Sequence, residues 1–280
     1  MPVLPSAYLG SLQKVSIGSK AYILEKFKLT QNNAVTDKPM IQGSLGVRVM
    51  DVGEIFWTSE IESAALIYEN GVNTDIFGLL TRLWGNILQV NSGAIPEQPL
   101  LDRASINISK DAVKVNLTLK SDLPNYFSIT TGGANEPIAR TAKWYDCTLT
   151  IGSGPVGFPM SLGQNTTTVG IESADIDFET KINQRFFIGP GQTPYFSIEN
   201  YKISGRFTVF ASPAEILNIA NTISSQNVGG LVRTGAGSLI LTIGGVPLYI
   251  GLAAMNSSVT RTIQAGDVNK ITVSFTSYTS

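Results

Sequence analysis

YFSIENYKISGRFTVFASPAEILNIANTISSQ, residues 195–226, is the stretch whose reading decides the fold. Ile203, Gly205, Phe207 and Val209 alternate with Lys202, Ser204, Arg206 and Thr208, the period-two pattern of a half-buried strand. Ser212, Pro213 and Glu215 then spell a helix start. The serine hydroxyl accepts from an orphan N–H, the proline stands where no N–H is needed, and the glutamate closes a capping box. Ile216, Ile219, Ala220 and Ile223 make the apolar stripe of the helix. The unit is a strand that delivers a helix onto a sheet.

Working outward, the first half carries a fainter copy. Residues 73–90 (NTDIFGLLTRLWGNILQV) hold Ile76, Leu79, Leu80, Leu83, Ile87 and Val90 on one stripe, with Asn73 as the expected cap and Asp75 in the first turn. Residues 105–120 predict a hairpin, and Val113, Val115, Leu117 and Leu119 alternate with polar neighbours. Residues 239–252 predict a second hairpin turning at Gly244-Gly245, which matches the first by its place after a helix. That uncharged stretch, 234–260, is long enough to cross a bilayer, but the Gly-Gly turn divides it into two strands and predicts no membrane insertion.

The remaining segments read as follows. Residues 1–15 predict an extended arm, with Pro2 and Pro5 opposing regular structure. Residues 22–29 read as one strand, 31–39 as a loop, 41–50 as a strand, and 55–68 as strands or a short helix. Residues 122–137, with two prolines and a Gly-Gly, mark a candidate boundary. A strand over 144–151, a long loop over 152–168, a strand over 174–182 and a closing strand at Ile271, Val273 and Phe275 complete the second half. The order predicts an internal duplication: a mainly β chain with one helix per half, built as two tandem β-sandwich or barrel domains. The expected limits are an arm at 1–15, a first domain at 16–122, a linker at 123–140 and a second domain at 141–280.

Composition narrows the chemistry. With 280 residues, 43% hydrophobic and 15% charged, the chain can bury a large core under a surface rich in Ser, Thr, Asn and Gln. A net charge of −1 argues against a basic nucleic-acid-binding face. The absence of His removes the commonest general base and zinc ligand, and a lone Cys147 permits no internal disulfide. Residues 1–10 lack the basic and apolar segments of a signal peptide.

Few candidate sites remain. Gly152, Gly154 and Gly157 match a dinucleotide fingerprint in spacing, but Pro155 and Pro159 flank it and no helical period follows, so a loop is expected. Asp175, Asp177 and Glu179 form a comb of carboxylates on one strand face. Such a comb is compatible with paired acid–base work, with Ca²⁺, with a solvated face, or with an acidic stripe along a channel wall. The sequons at Asn107, Asn116, Asn165 and Asn256 are chance matches on this reading, and Trp57, Trp84 and Trp144 are expected as core or interface anchors. No nucleophile has a base. The expectation is no enzyme, no cofactor and no metal.

KISGRFTVF (202–210) running into SPAEILNIANTIS (212–224), the N-terminal arm, the long loop GSGPVGFPMSLGQNTTT (152–168) and the hairpin LILTIGGVPLYIGL (239–252) together resemble the tail-tube proteins of tailed bacteriophages and the related tubes of contractile injection systems. The resemblance implies a twisted β-sandwich or barrel flanked by a helix, with arm and hairpin contacting neighbouring subunits. A duplicated chain resembles the double-domain tube and baseplate hub proteins of that family, in which three subunits imitate a six-fold ring. It implies a self-assembling virion protein of the tail, put together in the host cytoplasm beside other tail proteins. Nucleic acid would pass through it without specific binding, and Asp175, Asp177 and Glu179 would face the lumen. The alternatives are a baseplate hub or tube initiator present in few copies, and a carbohydrate-binding or adhesin-like β module.

Overall fold

The computed structural model describes residues 13–40, 47–68, 75–90, 99–122, 124–130, 139–153, 166–185, 195–210, 212, 227–228, 231–232, 237–251, 255–262 and 270–278. These form strands β1 Gln13–Ile17, β2 Lys20–Leu24, β3 Lys26–Met40, β4 Val47–Ala64 and β5 Leu66–Tyr68, then helix α1 Ile76–Val90. There follow β6 Leu100–Ile108, β7 Val113–Ser121, β8 Phe127–Thr130, β9 Ala139–Thr141, β10 Cys147–Ser153, β11 Thr166–Arg185 and β12 Tyr195–Phe210. The chain closes with β13 Asn227–Val228, β14 Leu231–Val232, β15 Gly237–Ile243, β16 Val246–Gly251, β17 Met255–Thr262 and β18 Lys270–Tyr278. The chain is mostly β and every strand pairing is antiparallel, with α1 the α-helix among the described residues.

One 11-stranded sheet runs through both halves. The first half contributes neighbours in the order β3-β4-β7-β6. The second contributes β11-β12-β18-β17, and β6 pairs with β11 to join them. Each set is a long hairpin, followed by a second hairpin whose far strand returns to lie beside the first. The same pairing pattern therefore occurs twice. The partner of the 105–120 hairpin is β17–β18 rather than 239–252, because β18 pairs with β12 as β7 pairs with β4. The 239–252 hairpin is β15–β16, an addition that pairs with β10. Its turn is as expected: Gly244 and Gly245 have φ of 57° and 84°, which side-chain-bearing residues rarely adopt.

Several local expectations are corrected. Residues 22–29 are two strands bent at Glu25, since Tyr22, Ile23 and Leu24 are all buried and β2 pairs with β1 while β3 pairs with β4. The turn-forming residues 31–39 lie inside β3, where cross-strand pairing with β4 overrides local preference. The ambiguous 55–68 is two strands, β4 to Ala64 and β5 from Leu66, interrupted at Ala65. Beyond Trp57, where pairing to β7 ends, β3 and β4 continue as a two-stranded ribbon about 30 Å long at ~3.3 Å per residue. Trp144–Asp146 is a 3₁₀ turn, and the strand begins at Cys147. The candidate linker contains β8, which pairs with β1, and the start of β9, which pairs with β5.

The helix at 213–225, with Pro213 and Glu215, lies outside the described residues, as do 1–12 of the arm and 154–165 of the long loop. Ser212 is exposed. For α1 the cap is corrected. Asp75 carries it: one carboxylate oxygen accepts from Gly78 N at 3.0 Å and the other from Leu66 N at 2.7 Å. Asn73 is outside the described residues.

The core lies between α1 and the inner face of the sheet, β16 included. Ile61, Leu117, Ile106, Ile176, Phe178, Ile203 and Phe207 come from the sheet, and Ile76, Leu79, Leu80, Leu83 and Ile87 from the helix. Trp84 ties the halves together. It is 1% exposed, donates its indole N–H to Tyr249 O at 2.9 Å, and packs edge-on to Phe178 and Tyr201.

Candidate functional site

The carboxylate comb lies on the outer, solvated face of the sheet. Ala174, Ile176 and Phe178 point into the core, so strand alternation forces Asp175, Asp177 and Glu179 outward. Their lateral neighbours come from two strands far apart in sequence. On β6 they are Asn107, Ser105 and Arg103; on β12 they are Arg206, Ser204 and Lys202.

This arrangement neutralises most of the comb. Arg206 reaches Asp175 at 3.7 Å and Arg103 reaches Glu179 at 3.8 Å. Asn107 donates to Asp175 at 2.5 Å. Asp177, between Ser105 and Ser204, has no ion-pair partner among the described residues. Partial burial raises the pKa of its carboxyl above the usual aspartate value, and the nearby charge of Asp175 adds to this. A shallow open depression of about 300 Å³ lies beside it, lined by Arg103, Ser105, Asn116, Thr118 and Glu179.

The pattern continues across the face. On the far side of the first half, Lys26 meets Glu62 at 3.0 Å and Lys28 meets Glu60 at 3.2 Å. Lys114, Asn116 and Thr118 of β7 separate those pairs from β6. The outer face is thus a banded polar surface in which Lys26 and Lys28 face Glu62 and Glu60, and Asp175 and Glu179 face Arg206 and Arg103, on adjacent strands. Sequence alternation identified the comb. It did not reveal Arg103, because pairing of β6 with β11 is non-local and leaves no local signal.

The chemical options are limited by this geometry. Among the described residues no group of three or more His, Cys, Asp or Glu is placed to hold a metal ion. Cys147 is buried, and desolvation pushes its thiol up to about 12, with the Asp146 charge contributing. Gly152 lies within β10, opposite Thr166 and Ser238, rather than at a strand-to-helix turn. Gly154 and Gly157 are outside the described residues. Asn107 and Asn116 are exposed on the polar face, each donating to a neighbouring strand.

A second feature lies at one end of the sheet. Trp144 packs against Tyr145 at 5.8 Å and Phe210 at 6.0 Å between ring centroids. Tyr145 is 62% exposed, with Arg140 over its ring. Arg140 forks onto Asp146 at 2.7 and 2.6 Å, which holds the Asp146 carboxyl below its ordinary range. Trp57 and Trp144 are half-buried. No helix among the described residues is long and apolar enough to cross a membrane. Comparison with known proteins finds no family whose sequence pattern matches this chain and no characterised protein similar to it.

Proposed function

We propose that this chain is a structural virion protein: two tube-type β units in tandem that self-assemble into the ring or tube of a phage tail. One observation carries the reading. The two four-stranded sets, β3-β4-β7-β6 and β11-β12-β18-β17, are joined edge to edge as if they were neighbouring subunits of a ring. A chain holding two such units makes a ring of three copies resemble one of six, by contacts that repeat head to tail until they close. The ribbon of β3 and β4 beyond the sheet suits contact with an adjacent ring.

The mechanism is passive. A wall on which the described Lys and Arg at these four places are paired with carboxylates, among neutral Ser, Thr and Asn side chains, has little basic charge there to hold a polyanion. Asp175 and Glu179 contribute to that wall as ion-paired groups, with Asp177 between them flanked by Ser105 and Ser204. The other partners on this reading are tail proteins, and the location is the virion tail after assembly in the host cytoplasm. A baseplate hub or tube initiator would share the architecture at low copy number.

Negative-stain electron microscopy, with solution mass on the same sample, tests the proposal. Rings or stacked rings are expected. A monomer at every concentration would overturn the tube, and copy number per virion separates tube from hub. The Tyr145–Trp144–Phe210 cluster favours a second reading, a carbohydrate-binding module using an aromatic surface. Glycan binding by a monomer, lost in Tyr145→Ala, would put that reading first.

A further inference from the structure

Among the described residues β3 has a single strand neighbour, β4, and β17 has a single one, β18. These two strands are the outer edges of the paired units. The inner edges, β6 and β11, already meet antiparallel over Arg103–Ile108 and Ala174–Glu179. β17 holds in the second unit the position that β6 holds in the first, and β3 holds in the first the position that β11 holds in the second. We infer that β17 of one copy pairs antiparallel with β3 of the next, repeating between chains the junction that β6 and β11 make within one. The inference rests on the ring-forming reading and names the surfaces that carry it.

The register follows from irregularities in the two long hairpins. The β3–β4 register slips between Asn33 and Val35, and the β11–β12 register slips between Ile171 and Ser173 and again between Lys181 and Ile182. The slip at Lys181 matches the one at Asn33, since both put the extra residue on the returning strand, whereas the slip at Ile171 puts it on β11. Superposing the two matching slips sets Lys28 on Asp175, Thr30 on Asp177 and Glu60 on Arg206. It is supported by chemistry, since Lys28–Glu60 and Asp175–Arg206 are then the same cross-strand ion pair with its charges exchanged. Following the pairings across each unit sets Thr260 on Ser105. Ser105 and Asp177 are register partners, so Thr30 and Thr260 of neighbouring copies face each other. An edge of this length with no further partner among the described residues invites association, and a second copy in this register satisfies its N–H and C=O groups. Opposed residues of an antiparallel pair have Cα atoms about 4.5–5.5 Å apart, within reach of a disulfide.

The test is cysteine cross-linking in the full chain, where the single native cysteine, Cys147, is buried. Oxidised Thr30→Cys/Thr260→Cys should run on a non-reducing gel as a ladder of multimers. A mixture of Thr30→Cys with Thr260→Cys should stop at dimers. Thr30→Cys/Pro247→Cys, which puts the second thiol on β16, should give no ladder. Equal cross-linking through position 247 would overturn the inference. So would failure at 260 and at the adjoining positions 258 and 262 in a protein whose mass shows multimers, and the ring reading would then survive. A monomer with no cross-link would overturn both.

Discussion

The two four-stranded units fill the same space with different side chains. In the first, Ser59 on β4 lies opposite Leu119 on β7; in the second, at the equivalent place, Gly205 on β12 lies opposite Phe275 on β18. A Cβ on Gly205 would stand 2.7 Å from the backbone oxygen of Asp175 and 3.0 Å from the Phe275 ring. The Phe275 ring occupies the space that a side chain at position 205 would need. Ser59, by contrast, is fully buried and its hydroxyl has no hydrogen-bond partner among the described residues. A packed interior conserves volume more strictly than identity, so the pairing pattern repeats although the residues do not.

The largest effect is expected at the residue that joins the units. Trp84→Ala removes a fully buried ring and its bond to Tyr249, and should cost about 3–5 kcal/mol. If the shared sheet makes one cooperative body, calorimetry should show a single transition that moves as a whole. Two resolved transitions would mean that the units unfold separately.

The equivalent positions should then respond with opposite sign. Gly205→Ala is expected to destabilise by about 1–3 kcal/mol through overpacking. Ser59→Ala should stabilise by about 1 kcal/mol, because it removes a buried hydroxyl without a partner. Urea midpoints of the two variants check this, and losses of similar size at both would dissolve the contrast.

A pH test bears on the helix of the first unit. Burial raises the folded pKa of Asp75 above the usual 3.8, against the pull of its backbone hydrogen bonds. A carboxyl with a raised folded pKa adds stability that is complete below its ordinary value and lost as pH rises through the raised one. Relative to Asp75→Asn, the wild-type protein should therefore gain stability as pH falls from 7 toward about 4, by urea titration at several pH values. A constant difference would show that the carboxyl does not titrate differently on folding.

The smallest effect is expected at the exchanged ion pairs. Lys28–Glu60 and Asp175–Arg206 are both more than half exposed, so each should give a coupling of only about 0.2–1 kcal/mol in a double-mutant cycle. The double exchange Lys28→Glu/Glu60→Lys should restore what either single change loses. Failure to restore would mean that neighbours on β7 set the sign.

Sequence by itself determined whatever depends on neighbours along the chain. Alternation named the buried faces of β7, β11, β12 and β18, and helical period named the stripe of α1. Gly244-Gly245 named its own turn, because positive φ is a property of single residues. Alternation also turned Asp175, Asp177 and Glu179 to solvent. Tertiary structure decided everything that depends on which strand lies beside which. It made residues 31–39 strand despite their turn chemistry, because β4 supplies the missing hydrogen bonds. It gave the helix cap to Asp75, whose second oxygen is used by Leu66 on a different element. It matched β6–β7 with β17–β18, and it set Arg103 and Arg206 against the carboxylates from opposite sides. Period and propensity act within a few residues, whereas edge pairing joins positions dozens of residues apart and is selected by the packing of the whole sheet.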